Sequence, residues 1–454
     1  MRSLYLPCAL LVAVFKNVIC DPVSSGRILD RSTDLLPSYD YVIVGGGTGG
    51  LVVANRLSEN KSKFHTSNSS QFTPINIFSD ITVLVIEAGT FHKNEDFITI
   101  PLITTSNLPF LGTGPRNTVY DYNTTSTPQS HLVNRSLDLS AGKVIGGSSA
   151  INGMIFMRGN AAEYDHWEEL GNTGWNWKGL LPYFKKSEHF TPAEKQDVQE
   201  WGIGYDADVH GEGGLVKNGF SRFIWPSTRV EYAAGKHEES YTVNARKEVI
   251  LSAGAQRTPQ LLQISGIGRR DVLGNLGIEV VVESEGVGEN YQDHLLFTTF
   301  SPAPNIEVQY GNLSTNATWA AEMRELYDEK RDGPFTTASA NLTIAFNYTR
   351  FMRTAPSLQA ISFTESYPGP NITTQAQIEE FIRETVVSEN HHVGTASILP
   401  RNLGGVVDER LRVYGVKGLR VVDASVIPIL VAAHLQATVY GVAEKAASVI
   451  LEDA

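Results

Sequence analysis

The sequence predicts an α/β protein whose core is a parallel sheet, with one βαβ unit built to hold a nucleotide. Three observations predict it. An apolar run, "YVIV" at 41–44, leads into "GGGTGGL" and then a helix start. A second apolar run, "ITVLVIEAG" at 81–89, ends in an acid, Glu87. A third, "GLRVVDAS" at 418–425, carries another acid, Asp423. Continuous apolar runs suit strands buried on both faces, and such strands belong to sheets covered by helices.

In the first unit Gly45, Gly47 and Gly50 fit G-x-G-x-x-G. The first glycine permits a tight turn, the second lets the backbone approach a pyrophosphate, and the third lets helix pack on strand. Thr48 follows the turn, where a helix N-terminus offers free N–H groups and a partial positive charge to phosphates. The ribose-binding acid of such a unit normally lies about 20 residues further on. Glu87 lies 37 residues after Gly50 (87 − 50). The polar, aperiodic stretch between them reads as a surface loop around 60–80. An acid at this place suits a free ribose 2′-OH, as in NAD or the adenosine of FAD, and the glycines alone do not choose between them.

The rest of the chain narrows the class. Its 454 residues carry a core for about two to three domains. A net charge of −12 argues against nucleic acid, whose phosphates demand a basic face. Arg2 and the apolar run from Leu4 to Phe15 look like a secretory signal over 1–20; the alternative is a buried N-terminal segment. The run is too short to span a bilayer. Cys8 and Cys20 are the only cysteines, so cleavage after Cys20 leaves none for disulfides, thiolate catalysis or metal ligation. Nine Asn-x-Ser/Thr sequons, at Asn60, Asn68, Asn123, Asn134, Asn312, Asn316, Asn341, Asn347 and Asn371, favour a glycosylated exported protein. No H-E-x-x-H or G-x-S-x-G occurs, so neither a zinc hydrolase nor a serine hydrolase is indicated and no metal is expected.

A second small-residue turn stands far along the chain, in "GKVIGGSSAINGMIFMRGNAAEYDHW" from Gly142. Gly146, Gly147 and Ser148 let the backbone touch a flat or charged ligand, and Asn152 follows. NAD does not need this second cradle; a longer ligand such as FAD does. The stretch resembles the first signature of the glucose–methanol–choline (GMC) oxidoreductases. "GAQRTPQLLQISGIG" at 254–268 resembles the second signature, and "GVGENYQDHL" at 286–295 and the block from "HHVGTAS" to the C-terminus continue the likeness over roughly half of the chain. The similarity is strongest to secreted fungal-type members such as glucose oxidase and aryl-alcohol oxidase.

The resemblance implies an FAD-binding Rossmann-like fold and oxidation of an alcohol CH–OH group, with an aryl alcohol, a sugar or a secondary-metabolite alcohol as substrate. Oxygen or another small molecule would accept the electrons. It implies that Asp423 and Ala424 belong to the cofactor site with Gly45, Gly47, Thr48, Gly50, Glu87, Gly146, Gly147, Ser148 and Asn152. It places His391 and His434 face to face, the first as base and the second holding the substrate oxygen or sharing the proton; His392 is expected to point elsewhere. His294 is expected to brace the core. The closing stretch "HLQATVYGVAEKAASVILED" is expected to be an amphipathic helix with its N-terminus toward the cofactor. A discontinuous FAD domain would comprise 38–160, 235–300 and 385–454, and a reduced α+β substrate domain 161–234 and 301–384. Other activities on the same scaffold are a hydroxynitrile lyase or a non-catalytic relic.

The chain departs from the family's pattern in the middle. The long substrate-domain passage after "HGEGGLVKNGF", a strand over the adenine and much of the pocket's roofing sheet are not recognisable. Either the enzyme is compact, with a reduced roof, or segments have been lost from the chain.

Overall fold

In this computed structural model the described residues are 17–21, 27–29, 36–59, 81–104, 114–116, 118–201, 204–220, 244–296, 317–330 and 367–454. A six-stranded sheet forms the centre. In chain order its strands are β1 (Asn17–Asp21), β2 (Arg27–Leu29), β3 (Ser38–Val44), β4 (Val83–Glu87), β5 (Asn244–Leu251) and β6 (Leu419–Val421). They lie in the order β6-β5-β3-β4-β1-β2. The first four in that order, β6, β5, β3 and β4, are mutually parallel, with Val44 opposite Ile86 on one side and Leu251 on the other. All five residues of β4 are buried, as its unbroken apolar run predicts.

The edge beside β4 is taken by the antiparallel β1, with Ile19 opposite Val85. Residues 1–16 of the expected signal lie outside the described residues, as does the loop around 60–80. Cleavage after Cys20 would remove four of β1's five residues and open the β4 edge, whose unpaired N–H and C=O groups then need another cover.

Four helices matter for the site: α1 (Thr48–Ser58), α2 (Trp177–Ser187), α3 (Gly254–Ile264) and α4 (Gln436–Asp453). The closing helix α4 is not amphipathic, contrary to the sequence expectation. Eleven of its eighteen residues are buried, because α1 and α2 pack against it from different sides. Gly441 permits the close approach of α2: a Cβ there would lie 2.2 Å from the Phe184 ring. Glu444, buried on the same helix, accepts hydrogen bonds from Arg56 Nε at 2.8 and 2.9 Å and pairs with Lys186 at 2.6 Å.

The strands of the sheet's parallel part come from the three stretches expected to form the FAD domain. Tyr164, Trp167, Trp175, Leu180 and Phe184, from the stretch expected to begin the substrate domain, share one core with the sheet's Val42 and Ile250. Of the passages expected to be thinned, after 220 and between 302 and 381, residues 221–243, 303–316 and 331–366 lie outside the described residues. Among the described residues no helix is long and apolar enough to cross a membrane, and no group of His, Cys, Asp and Glu is placed to hold a metal.

Candidate active site

The chain turns sharply out of β3 because Gly45 adopts φ +113°, where a Cβ would lie 2.2 Å from the Ser252 carbonyl oxygen. Gly50 seals helix on strand: its Cβ would lie 2.0 Å from the Gly45 carbonyl oxygen. Gly47 is different. A Cβ there meets nothing nearer than Gly147 Cα at 3.8 Å and Ser252 O at 4.0 Å. The two glycine turns, distant in sequence, therefore face each other. Gly146 N–H donates to the Gly46 carbonyl at 2.9 Å, and Gly147 at φ +55° passes close over Gly47.

Together they floor a cavity of about 440 Å³ that runs from Gly45 and Glu87 to His391, His434 and the start of α4. Every predicted site residue lines it except Gly50, which packs beneath it, and Gly146, which shapes the second turn. Helix α1 opens into it with no side-chain cap and no acid in its first turn, so its N–H groups and dipole are available to an anion. The N-terminus of α3 is closed instead: Gly254 N–H and Thr258 Oγ1 donate to Asp423 Oδ2 at 2.9 and 2.6 Å. Asp423 Oδ1 accepts from Ser425 N–H at 2.7 Å, so this carboxylate caps a short 3₁₀ turn and ties α3 to β6. Its protein partners hold it at the cavity wall, and burial pushes its pKa up.

Glu87 at the end of β4 accepts from Gly46 N–H and Gly89 N–H, both at 2.7 Å. Burial pushes its pKa up, against the pull of those N–H groups. Asn152 donates to Gln436 Oε1 at 2.8 Å and so joins the second turn to the first residue of α4. Ser148 Oγ accepts from Gly142 N–H at 3.1 Å, and Thr48 and Ala424 line the wall. Sequence reasoning missed Tyr122, Gln256 and Arg257, which line the Glu87 end; the Arg257 guanidinium lies 4.6 Å from the Tyr122 ring centroid.

At the far end the His391 and His434 rings stand perpendicular, centroids 4.7 Å apart. His391 backbone N–H donates to Asp293 Oδ1 at 2.8 Å. Burial, then the neighbouring His434 and His294, push His391 down to about 3; burial, then His294, push His434 down to about 4. Both rings are neutral near pH 7. His392 turns the other way: it stacks on Tyr291 and contacts Tyr291 OH at 2.5 Å and Asp293 at 3.3 Å. His294, expected only to brace the core, lies with its Nδ1 2.8 Å from His391 Nδ1. The doublet "DH" at 293–294 was the available signal, since both residues reach His391.

The sequence blocks that build this cavity match known families. Residues 39–211 and 227–296 fit the N-terminal sequence model of GMC oxidoreductase, and residues 306–443 the C-terminal one. The chain belongs to the GMC oxidoreductase family. It is 29% identical over 596 positions to the GMC oxidoreductase family protein Mala s 12 of Malassezia sympodialis, covering 91% of this chain and 92% of that protein. To the glucose oxidase-like protein fsoC of Humicola fuscoatra it is 30% identical, covering 91% and 95%. Among solved structures, an FAD-dependent oxidoreductase from Chaetomium thermophilum superposes with TM-score 0.78 at 26% identity, covering 92% of this chain and 99% of that one. An aryl-alcohol oxidase shares the fold with TM-score 0.74 at 24% identity. The Mala s 12 alignment is longer than the chain, so at least 142 of its positions (596 − 454) face gaps in this GMC oxidoreductase. Those gaps agree with the internal shortening read from the sequence.

The family's cofactor is FAD, and the cavity fits it. The open α1 N-terminus and the Gly47–Gly147 cradle suit a pyrophosphate. Glu87 lines the same cavity and would offer a ribose hydroxyl an acceptor. Ser140 Oγ and Gln256 Oε1, on residues lining the cavity, are buried polar atoms without a protein partner. The N-terminus of α4 faces the histidine end, where it favours negative charge on a ring system.

Proposed function

We propose that this GMC oxidoreductase oxidises the CH–OH group of an alcohol, with His391 as the base and His434 holding the substrate oxygen. The carrying observation is the perpendicular histidine pair on the cavity wall, both rings neutral near pH 7. FAD, when bound, supplies the acceptor for the hydride that leaves the carbinol carbon. His391 accepts the hydroxyl proton. Its low basicity requires that proton to leave as the carbon gives up its hydride rather than before it. His434 fixes the hydroxyl oxygen by a hydrogen bond, which orients the C–H bond. Asp293, which holds the His391 backbone N–H, keeps the segment in place.

A sugar or aryl alcohol is the substrate class we favour. Support comes from relatives named as a glucose oxidase-like protein and as the pyranose dehydrogenase of Agaricus xanthodermus, the latter 26% identical over 94% of this chain. Oxygen or another small molecule would reoxidise the flavin. We further propose that the protein is secreted and glycosylated; the sequon asparagines Asn123, Asn134 and Asn371 are all exposed.

The test is anaerobic mixing of the flavin-loaded protein with a panel of sugar and aryl alcohols. Bleaching of the flavin's visible band supports the proposal. Folded, loaded protein that no alcohol in the panel bleaches, or cyanide release from a cyanohydrin without bleaching, would sink it.

A further inference from the structure

Three histidines, not two, meet at this end of the site: His391 and His434 line the cavity, and His294 contacts His391. His294 and His391 face each other Nδ1 to Nδ1 at 2.8 Å. Such a contact between neutral rings requires one nitrogen to donate and the other to accept. The reading of His391 as the base makes the choice: its Nδ1 is taken up by His294, so the nitrogen left to take a proton is Nε2. That nitrogen must carry a lone pair, so the ring proton of His391 sits on Nδ1 and is donated to His294 Nδ1, and the proton of His294 sits on Nε2.

We infer that His294 is a positioning residue: it accepts the Nδ1–H of His391 and thereby fixes His391 in the tautomer whose Nε2 is free to take a proton. The inference rests on the reading of His391 as the base. The surroundings support the arrangement. His294 and His391 sit on segments joined by a short antiparallel pairing, Leu295 opposite Ser388 and Leu296 opposite Val387. Gln292, two residues before His294, ties the loop that carries His434 in place: its Nε2 donates to the Pro428 carbonyl at 2.9 Å, and its Oε1 accepts from Leu430 N–H at 3.1 Å. The pair stays coupled as His391 gains a proton at Nε2, because its Nδ1–H then becomes a charge-assisted donor to His294.

The test reads protonation of each ring nitrogen directly, by nitrogen-15 NMR of the flavin-loaded protein labelled at histidine, with His294→Asn and His391→Gln used to assign signals. The expected result is Nδ1–H on His391 and Nε2–H on His294 at neutral pH. Nε2–H on His391 in the intact protein would overturn the inference, and this reading needs no substrate. It therefore separates failure of the inference from failure of the alcohol assignment. In His294→Leu, with flavin retained, His391 should lose its single tautomer and anaerobic flavin reduction should slow by about 10- to 100-fold, the usual cost of an outer partner that orients a histidine. His294→Asn, whose Oδ1 still accepts, should recover most of that loss. An unchanged Nδ1–H signal and unchanged rate in His294→Leu would also overturn it.

Discussion

Gly45 and Gly47 are two residues apart, yet the same substitution should break different things. A Cβ at Gly45 would lie 2.2 Å from the Ser252 carbonyl oxygen and 2.9 Å from the Ala253 nitrogen, with φ at +113°. Neither the β5 backbone nor the turn has room to yield, so Gly45→Ala should cost well over the 1–3 kcal/mol typical of one strained residue. The expected outcome is loss of the folded protein. A Cβ at Gly47 has only ordinary contacts, at 3.8 and 4.0 Å, and φ there is −83°. Gly47→Val should fold, with its two methyls projecting into the space between the glycine turns. A pyrophosphate displaced from the α1 N-terminus loses about two charge-assisted hydrogen bonds, each about 1.5–3 kcal/mol. The sum, about 3–6 kcal/mol, is roughly a 10²- to 10⁴-fold weaker FAD affinity. Circular dichroism reports folding; the ratio of flavin to protein absorbance and a fluorescence titration with FAD report binding. A Gly47→Val protein that purifies with stoichiometric flavin would refute the cradle, and a stable Gly45→Ala protein would refute the strain argument.

Other expectations follow from the same geometry. His391→Ala should retain flavin but slow anaerobic reduction by about 10²- to 10⁴-fold, the usual worth of a positioned acid–base group. His392→Ala, whose ring faces Tyr291 and Asp293, should slow it far less; the reverse pattern in stopped-flow traces would move the base by one residue. Because His391 is active when neutral and its pKa is depressed to about 3, flavin reduction in the free-enzyme pH profile should stay level below pH 6.5 and fall only as acid approaches that value. Stability has the same sign: the depressed His391 and His434 contribute fully above the unfolded value of 6.5 and progressively less as pH falls toward 4 and 3, so melting temperature should drop across that window. Glu444→Gln should destabilise the protein by about 3 kcal/mol in denaturant titration, because it leaves the Arg56 charge without its buried partner.

What the sequence made legible was whatever is local. The glycine turn after an apolar strand, Glu87 at the end of the next strand and the small-residue turn at 146–148 each carry their geometry in neighbouring residues. Partnerships across the chain were not legible. The contact of Gly47 with Gly147 joins positions 100 residues apart (147 − 47), and the His294–His391 bond joins positions 97 apart. No local periodicity marks either. The closing helix misled for a related reason. It was expected to be amphipathic, but Glu444 is buried against Arg56 and Lys186, and Lys445 lies over the Trp175 ring at 4.6 Å while its ammonium donates to the Gly174 carbonyl. Charges that are paired inside read as solvent-facing until their partners are known.

The same distinction bears on the shortened middle of the chain. The cavity is assembled from short blocks, around 45–49, 87–88, 122, 140–155, 252–264, 389–392 and 423–439, and all of them fall within the stretches that match the family. The hydrogen bonds that support these blocks already close: Gly146 to Gly46, Asn152 to Gln436, Thr258 to Asp423, His391 to Asp293. None of these bonds passes through 221–243 or 331–366. The cradle and the histidines therefore keep their own supports. That is measurable: substitutions within 221–243 or 331–366 should leave the ratio of flavin to protein absorbance unchanged. Loss of flavin on such a substitution, in protein that circular dichroism shows to be folded, would show that the supports of the cradle extend beyond these bonds.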